Sequence, residues 1–203
     1  MTCRGGDHDI YANDVTGNIY MELGYEAPGE DRVQIFDTEQ GDQTFFTFGG
    51  NDNVTVSRVP DNSLLLIDVG NGNNLVKVDG LLAADADITS GTGDDVITLN
   101  ENTDASIGQI VPWQNTKAYS INVNTNEGDD EVFIETSPMM CKMSITTGSG
   151  ADIIDINGLG YGSEVTVFGG SGNDILQIDG REDETLSDPS QAINTMVCEY
   201  LLK

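Results

Sequence analysis

Basic residues are scarce in this chain, which has 8 Lys plus Arg against 35 Asp plus Glu and a formal net charge of -27. Such an excess of negative charge repels nucleic acids and anionic membrane surfaces, so neither is expected as a partner. It predicts a bound cation or a basic partner instead. The sequence has no run of 18 apolar residues, and therefore predicts no membrane-spanning helix and no membrane insertion.

Residues that build zinc sites and nucleophilic catalytic sites are also rare. The three cysteines, Cys3, Cys141 and Cys198, lack the spacing of a zinc site. His8 is the only histidine, and no serine or cysteine near it lies in a recognisable nucleophile motif. Carboxylates are so abundant that no catalytic pair can be singled out. We identify no catalytic residues, and the chain is not expected to be an enzyme.

Glycine, in contrast, is abundant, and eight of the 24 glycines recur at nearly constant spacing. Successive members of this glycine column are 23, 21, 22, 21, 35, 22 and 22 residues apart. The column consists of Gly6, Gly29, Gly50, Gly72, Gly93, Gly128, Gly150 and Gly172. A repeat period of about 20–50 residues is typical of solenoids, in which one repeat forms one coil.

Two apolar columns follow the glycine column, four and six residues after each glycine. They are Ile10, Val33, Val54, Val76, Ile97, Val132, Ile154 and Leu176, and then Ala12, Ile35, Val56, Val78, Leu99, Ile134, Ile156 and Ile178. A β-strand sends alternate side chains to one face, so these columns predict a strand after each glycine. A second inward-facing set precedes the glycines: Leu65 and Ile67, Ala86 and Ile88, Ile121 and Val123, Met143 and Ile145, Val165 and Val167.

These columns predict an all-β fold, a right-handed parallel β-solenoid of about eight coils of roughly 22 residues each. The solenoid is expected to span residues 1–180, with an acidic linker and a C-terminal cap over 181–203. The long step between Gly93 and Gly128 predicts an insertion at about residues 100–117. It contains Trp113, the only tryptophan, and leaves two interpretations open: a loop whose tryptophan packs back on the solenoid, or a site where Trp113 stacks on a sugar.

The turns around the glycine column share a nine-residue pattern. Three windows show it best: SGTGDDVIT at 90–98, TGSGADIID at 147–155 and GGSGNDILQ at 169–177. They resemble the glycine-rich, aspartate-containing nonapeptide of the hemolysin-type calcium-binding repeats, the RTX family. That family usually has a nonapeptide at both turns of a coil, whereas this chain has one per coil, so the resemblance implies at most one row of sites.

The resemblance implies that turn carbonyls and aspartates hold Ca²⁺ between neighbouring coils. The implied metal-binding residues are Asp31, Asp52, Gly91, Gly93, Asp95, Gly128, Asp130, Gly148, Gly150, Asp152, Gly170, Gly172 and Asp174. His8 and Asn74 interrupt the aspartate column. Electrostatics independently favours a cation, because equivalent carboxylates about 4.8 Å apart repel by roughly 3.5 kcal/mol at an effective dielectric constant of about 20. The alternative is that Gly, Asn and Asp serve only to form tight turns.

We therefore expect a calcium-binding structural or adhesive repeat module of a secreted or cell-surface protein, folded or made rigid by Ca²⁺. An extracellular polysaccharide or another cell-surface protein is the expected macromolecular partner. The opening residues MTCRGGDHD lack the basic and apolar segments of a signal peptide, so none is visible in this chain. Two alternatives stay open: a polysaccharide-binding or polysaccharide-modifying β-helix protein, and a metal-free structural or ice-binding solenoid.

Overall fold

The computed structural model describes residues 1–60, 62–81, 84–100, 120–135, 141–157, 163–178, 181–186 and 193–197. Within these ranges the chain is all-β and contains no helix. None of the described residues therefore forms a helix that could cross a lipid bilayer. The predicted insertion lies outside them from residue 101 onward, and Trp113 with it.

Twenty strands follow one another along the described chain. They are β1 (Thr2–Gly5), β2 (Asp9–Asn13), β3 (Ile19–Ala27), β4 (Arg32–Phe36), β5 (Gln43–Phe46), β6 (Asn53–Val59), β7 (Leu64–Asp68), β8 (Leu75–Leu81), β9 (Asp85–Thr89), β10 (Val96–Asn100), β11 (Ser120–Asn124), β12 (Glu131–Ile134), β13 (Lys142–Thr146), β14 (Ser149–Gly150), β15 (Ile153–Ile156), β16 (Glu164–Phe168), β17 (Ser171–Gly172), β18 (Asp174–Ile178), β19 (Arg181–Leu186) and β20 (Ile193–Val197).

The long strands form two nine-stranded sheets whose members alternate along the chain. Sheet A has the order β1-β3-β5-β7-β9-β11-β13-β16-β20, and sheet B has the order β2-β4-β6-β8-β10-β12-β15-β18-β19. All neighbours pair in parallel except the last pair of each sheet, β16 with β20 and β18 with β19. The predicted parallel β-solenoid is confirmed.

The repeat of about 22 residues is visible in the strand register. Val54 pairs with Val76, Val76 with Ile97, and Ile97 with Val132, so the pairing continues across the inserted residues without a shift. The regular stack has about six turns, slightly fewer than the eight coils expected. The two ends differ from the rest, since Ile10 and Ala12 in the first coil are only partly buried and the last coil pairs with antiparallel strands.

The core consists of the apolar columns identified in the sequence. From Val33 to Ile178, all members of the two columns after the glycines are buried, and so are all ten residues of the set that precedes them. The residues between the two columns, from Tyr11 to Gln177, are exposed or half-buried. Sheets A and B thus face each other across one continuous hydrophobic core, and the turns that join them carry the glycine column.

The C-terminal segment after residue 180 contains two of these strands. β19 lies within the acidic stretch that was expected to be a linker, and it pairs antiparallel with β18. β20 pairs antiparallel with β16. Both sheets therefore end on an antiparallel strand, which covers an edge that would otherwise present unpaired backbone groups.

A candidate cation site in the glycine turns

Each strand of sheet A is joined to the next strand of sheet B by a glycine-rich turn, and these turns stack on one another. We call them the glycine turns: residues 6–8, 28–31, 47–52, 69–74, 90–95, 125–130, 147–152 and 169–174. The backbone N–H of Gly72 donates to the Thr92 carbonyl at 2.8 Å, and that of Gly93 donates to the Glu127 carbonyl at 2.7 Å. The turns are thus held in the same register as the strands.

Glycine is required in the column because successive turns approach too closely for a side chain. A Cβ on Gly128 would lie 1.9 Å from the carbonyl oxygen of Gly93, and one on Gly150 would lie 1.7 Å from that of Gly128. The φ angles of Gly128 and Gly150 are 143° and 151°, which L-residues rarely adopt. The carbonyl oxygen of each glycine therefore points along the stack at the next glycine.

Two residues after each glycine lies the acid column, which consists of His8, Asp31, Asp52, Asn74, Asp95, Asp130, Asp152 and Asp174. From Asp31 onward its members are buried. Oδ1 of each accepts a hydrogen bond from the backbone N–H of the preceding member. The Asp95 N–H donates to Asp130 Oδ1 at 2.8 Å, and the Asp130 N–H donates to Asp152 Oδ1 at 3.0 Å. One carboxylate oxygen of each aspartate is thus used to join two coils.

The other carboxylate oxygen is left without a partner. Oδ2 is buried and makes no hydrogen bond, within the described part of the chain, in Asp31, Asp52, Asp95, Asp130, Asp152 and Asp174. Asp130 and Asp152 are fully buried, at 0% exposure. A buried polar atom without a partner is costly, and a charged one more so. The glycine turns therefore contain a row of six buried oxygens that have no described donor.

Asn74 shows what such a turn looks like when its polar atoms are satisfied. Its Nδ2 donates to the carbonyls of Gly70 and Gly72, at 3.2 and 3.0 Å. Its Oδ1 accepts from the Asp52 N–H at 2.9 Å, as an aspartate oxygen would. An aspartate in this conformation presents the acceptor Oδ2 to the corresponding carbonyls, so either a proton or a cation is needed between these oxygens.

Hydroxyl groups lie beside four of the six aspartates, five residues before them in the sequence: Thr47, Ser90, Thr125 and Thr147. Each hydroxyl lies within hydrogen-bond distance of a carbonyl of the next coil, as Thr47 does of Val69 at 3.0 Å and Thr147 of Gly169 at 3.0 Å. Each is also close enough to its aspartate to lower the pKa of that carboxyl group. Sequence analysis missed them, although they recur with the period of the repeat. Their oxygens add to the polar lining of the turns.

Burial makes five carboxyl groups of the acid column harder to ionise than an exposed aspartate. Burial raises the pKa of Asp52 and that of Asp130 to about 6. The neighbouring hydroxyl and the backbone N–H that binds Oδ1 oppose the increase, while the carboxylates of Asp95 and Asp152 raise the pKa of Asp130 further. Burial also raises the pKa of Asp95, Asp152 and Asp174. In the described part of the chain, these five carboxylates form no ion pair with a basic side chain.

The first aspartate of the row has a different environment. His8 Nδ1 lies 2.7 Å from Asp31 Oδ1, and the His8 backbone N–H donates to the same oxygen at 3.0 Å. A protonated imidazole would balance the Asp31 charge. His8, which interrupts the aspartate column in the sequence, thus ends the row next to an ionisable basic group.

A second row of polar side chains lies on the outside of the turns. Oδ1 of Asp94 accepts from the Asp129 N–H at 3.0 Å, and Oδ1 of Asp129 accepts from the Ala151 N–H at 2.7 Å. Here the acceptor belongs to the earlier coil, whereas in the acid column it belongs to the later one. The turns are therefore joined by side chains on both their inner and their outer sides.

The groups in these turns fit a hard cation such as Ca²⁺. They are all oxygens, and Ca²⁺ takes about six to eight oxygen ligands, including carbonyls and carboxylates, in irregular geometry. Among the described residues, no group of three or more His, Cys, Asp or Glu side chains is close enough to hold a metal. A cation would therefore be held by one or two carboxylates and complete its shell with carbonyls, hydroxyls and water.

The structure describes all the sequence-predicted metal-binding residues, and all of them lie in the glycine turns. Asp31, Asp52, Asp95, Asp130, Asp152 and Asp174 provide the unpartnered oxygens. Gly93, Gly128, Gly150 and Gly172 belong to the glycine column. Gly91, Gly148 and Gly170 lie two residues earlier, and the carbonyl of Gly148 already accepts from the Ser171 N–H at 2.8 Å. Trp113 lies outside the described residues.

Comparison with known proteins adds no relative to this picture. No protein-family model, curated protein or solved structure matches the chain.

Proposed function

We propose that this chain is a calcium-binding structural repeat module of the RTX type, in which Ca²⁺ binds along the row of glycine turns and makes the solenoid rigid. The observation that carries the proposal is the row of buried Oδ2 atoms without a hydrogen-bond donor. A cation beside Oδ2 would satisfy this acceptor and take further ligands from nearby turn carbonyls, which have a second lone pair besides the one that accepts a backbone N–H. Ca²⁺ suits the row better than Mg²⁺, which requires an octahedron and releases its water reluctantly.

The net charge makes calcium binding relevant to folding as well. At -27, the chain repels itself, and the buried aspartates add to this repulsion within the core of each turn. An ion that binds only the folded chain stabilises it by about 2.7 kcal/mol per site at 100 times its dissociation constant. Calcium is therefore proposed to convert an expanded polyanion into a stiff rod.

Such a rod fits a structural or adhesive role in a secreted or cell-surface protein, where millimolar calcium is available. The exposed faces of the sheets would then contact a polysaccharide or another surface protein. We propose no catalytic role for the chain.

Calcium titration of the whole chain tests this function. Circular dichroism and hydrodynamic radius should show that millimolar Ca²⁺ compacts the chelated protein and raises its melting temperature, while Mg²⁺ does so poorly. The informative variant is Asp130→Asn, which keeps the Oδ1 acceptor for the Asp95 N–H and replaces Oδ2 with a donor, as in Asn74. It should bind less calcium and remain folded.

The matched control is Asp87→Asn, which removes one exposed carboxylate from the outer face of β9. It should bind as much calcium as the wild type. The proposal is wrong if the chelated wild type is already compact and its melting temperature does not respond to calcium. Equal losses of calcium in the two variants would show that the protein holds the ion by diffuse charge and not in the turns.

A further inference from the structure

One glycine turn, residues 69–74, differs from its neighbours at two positions at once. Asn74 takes the place of aspartate, and Val69 takes the place of the threonine or serine found five residues before Asp52, Asp95, Asp130 and Asp152. Both residues are buried, at 3% and 0% exposure. The turn that lacks the carboxylate therefore also lacks the hydroxyl beside it.

Asn74 needs no ion to complete its hydrogen bonds. Its two Nδ2 protons go to the Gly70 and Gly72 carbonyls, and its Oδ1 accepts from the Asp52 N–H. Its own backbone N–H donates to Asp95 Oδ1 at 2.8 Å. The chain of hydrogen bonds that joins the coils is thus continuous through Asn74, whereas the row of charges is interrupted there.

We infer that Asn74, with Val69, closes this turn without a cation and divides the candidate calcium row into two separate groups. This inference rests on the proposed function. One group contains Asp31 and Asp52, and the other contains Asp95, Asp130, Asp152 and Asp174. Nδ2 takes the place that a cation has in the other turns, so the coil around 69–81 stays folded without calcium.

Two consequences follow from this division. The strand after Asn74, β8, keeps its pairing with β6 and β10 in the chelated protein, and provides a folded segment on which the flanking coils assemble. The two groups of sites also fill separately, because no carboxylate is shared across Asn74. The smaller group is further distinguished by His8, which lies against Asp31.

A reciprocal pair of isosteric changes tests the inference in the whole chain. Asn74→Asp combined with Val69→Thr should bind one Ca²⁺ more than the wild type, and its melting temperature in chelator should fall by roughly 5 °C because the turn loses its own donors. Asp95→Asn should bind one fewer and melt higher in chelator. Hydrogen exchange of the chelated wild type should protect the amides of 76–78 more than those of 132–134.

The outcomes separate this inference from the proposed function. If the wild type binds calcium but the double variant changes neither the number of ions nor the melting temperature in chelator, the role of Asn74 is wrong while the module still binds calcium. If the wild type binds no calcium, the proposed function fails, and the melting temperatures in chelator still decide whether Asn74 closes its turn. Should the double variant not fold, Asp95→Asn alone must melt higher in chelator, and a lower value overturns the inference.

Discussion

Two adjacent glycines, Gly49 and Gly50, offer the sharpest test of how the coils stack. A Cβ on Gly50 would lie 1.8 Å from the carbonyl oxygen of Gly29, and φ at Gly50 is 124°. A Cβ on Gly49 would meet its nearest neighbour, the Asn71 carbonyl oxygen, at 3.5 Å, which is an ordinary contact. Gly50→Ala should therefore destabilise the protein strongly, while Gly49→Ala should not.

The expected cost of Gly50→Ala has two parts. Holding alanine at a φ angle that only glycine readily adopts costs about 1–3 kcal/mol. Relieving an overlap with the backbone of the preceding coil costs about 1–3 kcal/mol more, because that carbonyl cannot move without separating the stacked turns. A total of about 4 kcal/mol should lower the melting temperature by roughly 10 °C in a chain of this length.

Thermal unfolding followed by circular dichroism, in saturating calcium and in chelator, measures both variants. Gly49→Ala should stay within about 1 kcal/mol of the wild type, because its Cβ meets only ordinary contacts. If the two alanine variants are equally stable, the turns do not approach one another as described. A loss in Gly50→Ala that appears only with calcium would show that the ion, and not the backbone, holds the turns close.

Three further predictions concern acid, the insertion and Asn74. In chelator, the melting temperature should rise as the pH falls from about 6 to the ordinary aspartate pKa of 3.8. The reason is that the folded chain binds protons at Asp52 and Asp130 more tightly than the unfolded chain does. Asp130→Asn should reduce this rise more than Asp87→Asn does. Replacing residues 101–114 with a short Gly-Asn turn should shift the melting temperature by only a few degrees, since β10 and β12 pair in register on either side of the insertion. A collapse of the fold would show that the insertion is part of the core. Asn74→Ala should hardly change calcium uptake but should destabilise the chelated protein by about 2–4 kcal/mol in a denaturant titration. The reason is that the Asp52 N–H loses its acceptor and the Gly70 and Gly72 carbonyls each lose a donor; an unchanged stability would contradict this.

The strands and the core could be predicted from sequence because a half-buried strand requires an apolar residue at every second position. Val54 and Val76 could be aligned by counting from the glycines, and the structure pairs them. The ends could not be predicted in the same way. β19 is highly acidic, and its pairing with β18 depends on the free edge beside it and not on its own composition.

The candidate site could be predicted only in part, because its hydrogen bonds also depend on the backbone of the neighbouring coil. The period brings the aspartates and glycines to the same turns, and that much follows from spacing. Which carboxylate oxygen is used depends on where a backbone N–H of the preceding coil lies, as between Asp95 and Asp130. Thr125 was missed because a hydroxyl in a turn is common, and its importance appears only when it is found buried beside Asp130.

Asn74 shows that the acid column does not need aspartate in order to fold. An asparagine at this position gives the same hydrogen bond to the preceding coil and supplies two donors to the turn carbonyls, so the solenoid could be built with asparagine throughout. Aspartate at six other positions leaves six buried oxygens without a donor, which lowers the stability of the metal-free chain. Under the proposed function this loss makes the fold depend on calcium by mass action, since the ion binds the folded turns and not the unfolded chain. The number of aspartates in the row then sets how steeply the rod responds to calcium.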